Sequence, residues 1–302
     1  MPDRPDGMKH HLLTYLKNRN AFADALFYDI TALTEKERAK LNPLIEFEGS
    51  IVVVPPAQHA AAGQTIRHYE SAAAFLNSDD HPARAIVLAG VGSSVLGAAA
   101  LARNVANVCG MDVAAVVTGY GMLDIMDEAL GGCYFYGAAD QTLMELEKFL
   151  KQFPQMAWGI KLAQSSTFGM WSQLSDIRPP KLRDSQTLLT ILSAQTADLR
   201  LLLGHSKGSL MIRFALAQLF QSGHACLQNL TVVTLGAVVD LPDQLSMKRQ
   251  IIGALDWFGG MNSRMGVAYT LVPNAWHHTN TQIPYHLSVE SVLQELALCP
   301  HP

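Results

Sequence analysis

Apolar and polar positions follow two different spacings along most of this chain. Short continuous apolar runs are typical of strands buried on both faces, and longer stretches between them have helical spacing. The predicted strands are "GSIVVVPP", "ARAIVLAGVGSS", "MDVAAVVTGYG", "LRLLLG", "NLTVVTLGAVVDLP" and "KRQIIGALDWFGG". The predicted helices are "HYESAAAFLNS", "LGAAALARNVANVCG", residues 140–153, "RDSQTLLTILSAQTA" and "SLMIRFALAQLFQSG". This alternation predicts an α/β fold with a mostly parallel sheet flanked by helices.

Two parts of the chain depart from this alternation. Residues 1–50 have a mixed, partly helical pattern, which predicts a helical extension packed on a main domain over residues 51–302. The periodicity weakens again over residues 154–183, where Trp158 and Trp171 precede the predicted strand "LRLLLG". We treat residues 154–183 as a separate apolar segment of the main domain.

The sequence "GHSKG" at residues 204–208 joins a predicted strand to a predicted helix. A serine in such a turn is presented at the end of the sheet near the positive end of the helix, and flanking glycines let the two elements approach closely. A competing interpretation is that Ser206 only caps the helix. We expect Ser206 to be a nucleophile, with His205 packed beside the site rather than acting as a base.

A serine nucleophile needs a general base and an acid that orients the base. Asp256 in "GALDWFGG" follows the last predicted strand, and Asp240 in "AVVDLP" is the alternative acid. The candidate bases, in order of preference, are His277, His278 and His286. Adjacent loop residues usually point apart, so we expect one histidine of the "HH" pair to face Ser206.

The glycine-flanked serine, followed by an aspartate and then a histidine, resembles the α/β-hydrolase superfamily, particularly its lipase and esterase branch. The resemblance covers about residues 50–290. It implies a serine hydrolase that cleaves a carboxylic ester or thioester of a small or medium hydrophobic acyl group through an acyl-enzyme. It also implies an oxyanion hole made by the backbone N–H of Lys207 and that of Val91 or Gly92. Residues 154–183 would then be a cap or lid.

Two other classes of function compete with this one. The first is a catalytically inactive hydrolase fold that serves as a binding module. The second is a nicotinamide-dependent oxidoreductase, because "GVGSSVLG" after a strand resembles a dinucleotide-binding turn. However, Gly97 comes two positions late for that motif, and no acidic residue ends the next strand. We expect no cofactor, and we expect no metal because the paired histidines lack helical zinc-site spacing.

Composition and the lengths of the apolar runs limit the classes of partner that we expect this protein to bind. Charged residues make up 16% of the chain and the net charge is -4, without a basic patch, so we expect no nucleic-acid partner. Because no apolar run is long enough and uninterrupted, we expect no integral membrane segment. The four widely spaced cysteines favour buried thiols in a cytoplasmic protein. The expected partner is a small-molecule acyl ester or a lipid-like substrate, and the sequence leaves the oligomeric state open.

Overall fold

The computed structural model describes residues 24–41, 48–90, 93–118, 183–194, 198–223, 229–261 and 263–295. The strands are β1 (Ile51–Val54), β2 (Arg67–Tyr69), β3 (Ala85–Leu88), β4 (Val113–Val116), β5 (Leu201–His205), β6 (Thr231–Leu235), β7 (Met247–Gly253) and β8 (Thr270–Val272). The helices are α1 (Glu35–Lys40), α2 (Ala57–Ala61), α3 (Ala72–Leu76), α4 (Val95–Cys109), α5 (Arg183–Ala194), α6 (Lys207–Gln221), α7 (Trp257–Met261) and α8 (Val289–Glu295), preceded by a short 3-10 helix, Ile30–Ala32.

The eight strands form one sheet in the order β2-β1-β4-β3-β5-β6-β7-β8. From β4 through β8 all neighbouring strands pair in parallel, whereas β1 runs antiparallel to both β2 and β4. The predicted α/β class with a mostly parallel sheet flanked by helices is therefore confirmed. The single reversed strand, β1, is a detail that its continuous apolar run did not reveal.

The central strands are buried on both faces, which explains their continuous apolar runs. In β3, Ala85 and Val87 pack into one apolar core with α4, while Ile86 and Leu88 pack into a second core with α5 and α6. Successive strand side chains point to opposite faces, so a strand covered on both sides needs apolar residues at every position.

The two edge strands, β2 and β8, are not among the predicted strands. The sequence "HYESAAAFLNS" begins in β2, and α3 starts only at Ala72, after the Ser71 side chain has capped it. Both edge strands have three residues and none of those residues is fully buried. Short, half-exposed edge strands lack the apolar run that marks the central ones.

The described N-terminal residues 24–41 pack on the main sheet. Tyr28 and Leu33 are buried in the core that contains α4, and Glu37 forms an ion pair with the buried Arg103 of that helix. Residues 1–23 and 42–47 lie outside the described residues. The domain division at residue 50 therefore remains a prediction. The residues of the expected cap, 154–183, also lie outside the described residues, except for Arg183 at the start of α5.

Cys109, at the end of α4, is disulfide-bonded, so the expectation of a free thiol is wrong at this position. The other three cysteines lie outside the described residues. Disulfides persist in oxidising compartments, so this bond removes the argument for a cytoplasmic location that the cysteines had provided. Among the described residues, no helix is both long and apolar enough to span a bilayer.

Candidate active site

Ser206 lies in a sharp turn between β5 and α6. Its backbone has φ +52° and ψ -119°, a conformation that non-glycine residues rarely adopt. Its side chain makes no capping hydrogen bond to the helix, so the capping interpretation of Ser206 does not describe its side chain. The backbone is held by a 2.8 Å hydrogen bond from Ser206 N–H to the Leu235 carbonyl of β6. A strained residue that is fixed by its surroundings points to a functional role.

The glycines on either side of Ser206 permit the close approach of strand and helix. A Cβ atom at Gly204 would lie 2.6 Å from the backbone nitrogen of Ser209 in α6. A Cβ atom at Gly208 would collide with the Leu88 carbonyl at the end of β3. The "GHSKG" spacing therefore reflects two backbone contacts that a side chain would prevent.

Asp256 and His277 form a buried pair. Their Oδ2 and Nδ1 atoms are 2.8 Å apart, and the side chain of Asp256 is 0% exposed. The second carboxylate oxygen accepts a 2.6 Å hydrogen bond from the backbone N–H of Gly259 in α7. Asp256 follows β7 and His277 follows β8, so the pair lies at the carboxyl edge of the sheet, where Ser206 follows β5.

His277 is also enclosed by rings. The ring of Phe258 packs edge-on at 4.9 Å between centroids, and the ring of Phe27 does so at 5.9 Å. A Cβ atom at Gly236 would lie 3.0 Å from the His277 ring. Gly236 directly follows Leu235, the residue that holds the Ser206 backbone, so His277 and Ser206 are both positioned at the end of β6.

The other predicted partners lie elsewhere. His278 turns away from Asp256: its Nε2 lies 3.2 Å from the Pro284 carbonyl, and its ring packs against Trp276. Burial lowers the pKa of His278 below its usual value. Asp240 is exposed and lies 3.7 Å from the Arg264 guanidinium. His286 Nδ1 lies 3.3 Å from the Ile283 carbonyl. The structure thus brings Asp256 together with His277.

The proposed oxyanion donors are described only in part. Lys207 is the first residue of α6, so its backbone N–H lies in the first helical turn, beside Ser206. Val91 and Gly92 lie outside the described residues. Their neighbour Gly90 packs close to Ser206, because a Cβ atom at Gly90 would lie 3.3 Å from the Ser206 Cβ. The loop that follows β3 therefore runs past the serine.

Sequence reasoning missed Tyr28. Its hydroxyl lies 2.6 Å from the Gly90 backbone nitrogen and 2.8 Å from His205 Nδ1, at the base of the serine turn. His205 was expected to pack beside the site, and it is 1% exposed next to the His277 ring. Nothing in the local sequence around Tyr28 predicts these contacts, because Gly90 and His205 are distant from it along the chain.

In a dinucleotide-binding protein, the phosphates of the dinucleotide would lie at the N-terminus of the helix that follows the glycine-rich stretch after β3, which here is α4. The carboxylate of Asp24 accepts hydrogen bonds from the backbone N–H and the hydroxyl of Ser94, the residue that caps α4. A Cβ atom at Gly97 would collide with Asp24. A carboxylate at the N-terminus of α4 takes the position that favours a phosphate. Within the described residues, no cluster of three or more His, Cys, Asp or Glu side chains suits a metal ion.

An open pocket of about 500 Å³ lies beside Asp256, at the β7–β8 end of the sheet. Leu255, Trp257 and Leu271 contribute to its wall, and each of them is more than 45% exposed. Because the Asp256 side chain is itself fully buried, the pocket borders the backbone of this residue and not the carboxylate.

No protein-family model and no curated protein matches the chain. Among solved structures, the chain is similar to a hyperthermophilic esterase from the archaeon Pyrobaculum calidifontis. The identity is 12% and the TM-score 0.32, over 92% of this chain and 91% of the other. At that level the likeness carries no argument about function.

Proposed function

We propose that this protein is a serine hydrolase, with Ser206 as nucleophile, His277 as general base and Asp256 as the acid that orients it. The observation that carries the proposal is the meeting of two features at one edge of the sheet. Ser206 occupies a positive-φ turn between a strand and a helix, and the buried Asp256–His277 pair lies at the same edge. Strand-to-helix serine turns of this kind present the hydroxyl to a substrate.

The first half of the reaction forms an acyl-enzyme. Ser206 Oγ attacks the acyl carbonyl carbon while His277 Nε2 takes the hydroxyl proton. Asp256 accepts the hydrogen bond from His277 Nδ1–H, which fixes the tautomer and stabilises the imidazolium that forms. The bond to the leaving alcohol or thiol then breaks, and that group takes the proton from His277.

The second half releases the acid. Water attacks the acyl carbon of Ser206 while His277 again accepts a proton, and the returning proton restores the serine hydroxyl. The negative charge of each tetrahedral intermediate needs backbone donors. Lys207 N–H is the first candidate because of its place in α6, and the loop residue Val91 or Gly92 is the second.

The substrate class rests on the sequence. The proposed substrate is a carboxylic ester or thioester with a small or medium hydrophobic acyl group, because residues 154–183 carry apolar aromatic side chains just before α5 and β5. A series of p-nitrophenyl esters and acyl thioesters of increasing acyl length tests this part of the proposal. Activity that peaks at a short or medium chain supports it, and cleavage of amides alone contradicts it.

The deciding experiment combines a fluorophosphonate probe with p-nitrophenyl ester hydrolysis. The wild-type protein should label and turn over, and Ser206→Ala should lose both by at least about 10³-fold while its melting midpoint stays nearly unchanged. Ser222→Ala is the matched control, because this exposed serine lies at the other end of the same helix. An active Ser206→Ala variant would exclude Ser206 as the nucleophile. A wild-type protein that does neither would favour the binding-module alternative.

A further inference from the structure

Three hydrogen bonds link four residues from separate parts of the chain. The Gly90 backbone nitrogen lies 2.6 Å from the Tyr28 hydroxyl. That hydroxyl lies 2.8 Å from His205 Nδ1, and His205 Nε2 lies 2.8 Å from the His277 backbone carbonyl. Tyr28 and His205 are 2% and 1% exposed, so water does not compete for these contacts.

The direction of each hydrogen bond follows from chemistry. A carbonyl oxygen can only accept, so His205 Nε2 carries a hydrogen. Burial, followed by the charge of the nearby His277, lowers the pKa of His205 to about 3, so the ring is neutral at physiological pH and Nδ1 accepts. Burial raises the pKa of Tyr28 far above its usual value, so the hydroxyl keeps its proton and donates it to Nδ1. Gly90 N–H then donates to the Tyr28 oxygen.

These contacts reach each part of the proposed site. Gly90 lies in the loop after β3, His205 directly precedes Ser206, and the His277 carbonyl belongs to the residue that bonds Asp256. Resting on the function proposed above, we propose that Tyr28 and His205 are positioning residues. The hydrogen-bonded chain from Gly90 through Tyr28 and His205 sets the spacing between Gly90, the serine and the base.

A purely structural role for Tyr28 is the alternative to be separated. Its ring packs edge-on against His205 at 5.4 Å between centroids, a contact that contributes to core packing without the hydroxyl. Tyr28→Phe keeps this ring contact and removes only the hydroxyl. In that variant Gly90 N–H loses its acceptor and His205 Nδ1 loses its donor, while the shape of the core is preserved.

The kinetic experiment compares Tyr28→Phe with Tyr69→Phe. Tyr69 is a matched control, because its hydroxyl also makes a partly buried hydrogen bond, to Asp80, on the distant edge strand β2. We expect Tyr28→Phe to lower kcat for ester hydrolysis by about 10²-fold, as a small displacement of reacting groups does, with KM changed by less than about 3-fold. Tyr69→Phe should keep the wild-type kcat. Equal kcat in the two variants, or a loss confined to KM, would overturn the proposal.

A second pair of variants tests the other end of the chain of contacts. His205→Gln keeps an N–H donor that can reach the His277 carbonyl, whereas His205→Leu removes every polar atom. We expect the glutamine variant to retain at least about 10-fold more kcat than the leucine variant at equal thermal stability. If the two variants are equally impaired, the polar contact to His277 has no positioning role.

The third readout does not depend on catalysis. In ¹⁵N-histidine NMR of the wild-type protein, the His205 signal should show the Nε2–H tautomer and should not titrate between pH 5 and pH 8, since its pKa is about 3. The signal is assigned to His205 by its absence from His205→Gln. In Tyr28→Phe the Nε2–H tautomer should remain, because the His277 carbonyl still requires it, but the Nδ1 resonance should shift because Nδ1 loses its hydrogen-bond donor. An unchanged His205 signal in Tyr28→Phe contradicts the proposal. A changed signal in a protein that never labels with the phosphonate would retain the contacts but reject the proposed hydrolase function.

Discussion

Each carboxylate oxygen of Asp256 has its own N–H donor. Oδ1 accepts from the Gly259 backbone and Oδ2 faces His277 Nδ1, in a position that excludes water. Because both oxygens of the carboxylate accept a hydrogen bond, the orientation of the carboxylate is fixed. The hydrogen bond between Oδ2 and Nδ1 in turn fixes the orientation of the His277 ring. At the residue scale, the direction of a single ring therefore depends on one fully buried side chain.

Asp256→Asn should lower ester turnover by orders of magnitude. The amide NH₂ group of asparagine would face either the Gly259 N–H or the His277 Nδ1–H, and two donors cannot bond each other, so the His277 ring loses its fixed tautomer. The equivalent change in a serine protease triad lowers kcat by about 10⁴-fold. Steady-state hydrolysis of a p-nitrophenyl ester measures the effect. Asp240→Asn is the control, because that exposed carboxylate faces Arg264, and it should stay within about 2-fold of wild type. The reverse ranking would assign the acid role to Asp240.

The two adjacent histidines give the second prediction at this scale. His277→Ala should remove hydrolysis at every pH tested, because no other ring is bonded to Asp256 in the described residues. His278→Ala should keep most of the activity, since His278 packs against Trp276 and bonds the Pro284 carbonyl. Circular dichroism checks that both variants fold. Similar activity in the two variants would show that neither histidine is the base.

At the scale of secondary-structure elements, the packing around the junction between β5 and α6 positions Ser206. A Cβ atom at Gly204 would meet the backbone of α6, and a Cβ atom at Gly208 would meet the Leu88 carbonyl at the end of β3. The N-terminus of α6 therefore lies against β3, and α6 packs its apolar face into the core beneath the sheet. The position of Ser206 is thus set by contacts of its neighbours.

Gly208→Ala should destabilise the protein by about 1–3 kcal/mol and reduce phosphonate labelling, because the added methyl group meets the Leu88 carbonyl and the turn at Ser206 must shift. Chemical denaturation and labelling rate measure the two effects. Gly260→Ala in α7 is the matched control: nothing lies within 4 Å of its added Cβ, so stability should be unchanged or slightly higher. Equal stability of Gly208→Ala and Gly260→Ala would contradict the close approach.

At the scale of the whole molecule, residues 24–29 connect two loops that lie far apart along the chain. Asp24 bonds Ser94 at the start of α4, Tyr28 bonds Gly90, and the Phe27 carbonyl accepts from Thr279 beyond the paired histidines. The Phe27 ring also packs on His277. This short N-terminal segment therefore contacts both loops of the proposed site.

Asp24 makes this connection dependent on pH. Burial, partly offset by hydrogen bonds from Ser94, raises the pKa of Asp24 from 3.8 to about 6 in the folded protein. The folded state therefore holds this proton more tightly than the unfolded state, and stability falls as pH rises from about 4 to about 6. The rise in pKa corresponds to about 3 kcal/mol.

Asp24→Asn removes the titrating group and keeps one acceptor for Ser94. Relative to this variant, the wild-type protein should lose stability as pH rises through the window from about 4 to about 6, and the difference should be constant above it. Urea denaturation at several pH values measures both proteins. A difference that is independent of pH, or one that grows in favour of the wild type as pH rises, would show that Asp24 is not protonated preferentially in the folded state.

Local sequence determined the central architecture and the candidate nucleophile of this protein. Strands buried on both faces need apolar residues at consecutive positions, so β1, β3, β4, β5 and β6 are visible as apolar runs. Gly204 in "GHSKG" allows the backbone of β5 to approach Gly208 and Ser209, which are neighbours in sequence, and a contact between sequence neighbours can be predicted from a local motif.

Only the tertiary structure decided those features that depend on contacts between residues far apart along the chain. The reversed direction of β1, the edge strands β2 and β8, and the contact of His277 rather than His278 with Asp256 all depend on packing partners far along the chain. The role of Tyr28 has the same origin, because its hydrogen bonds reach Gly90 and His205 across the fold. A hydrophobic pattern records whether a side chain is buried, but the direction of a side chain in a loop is fixed only when the surrounding elements have packed.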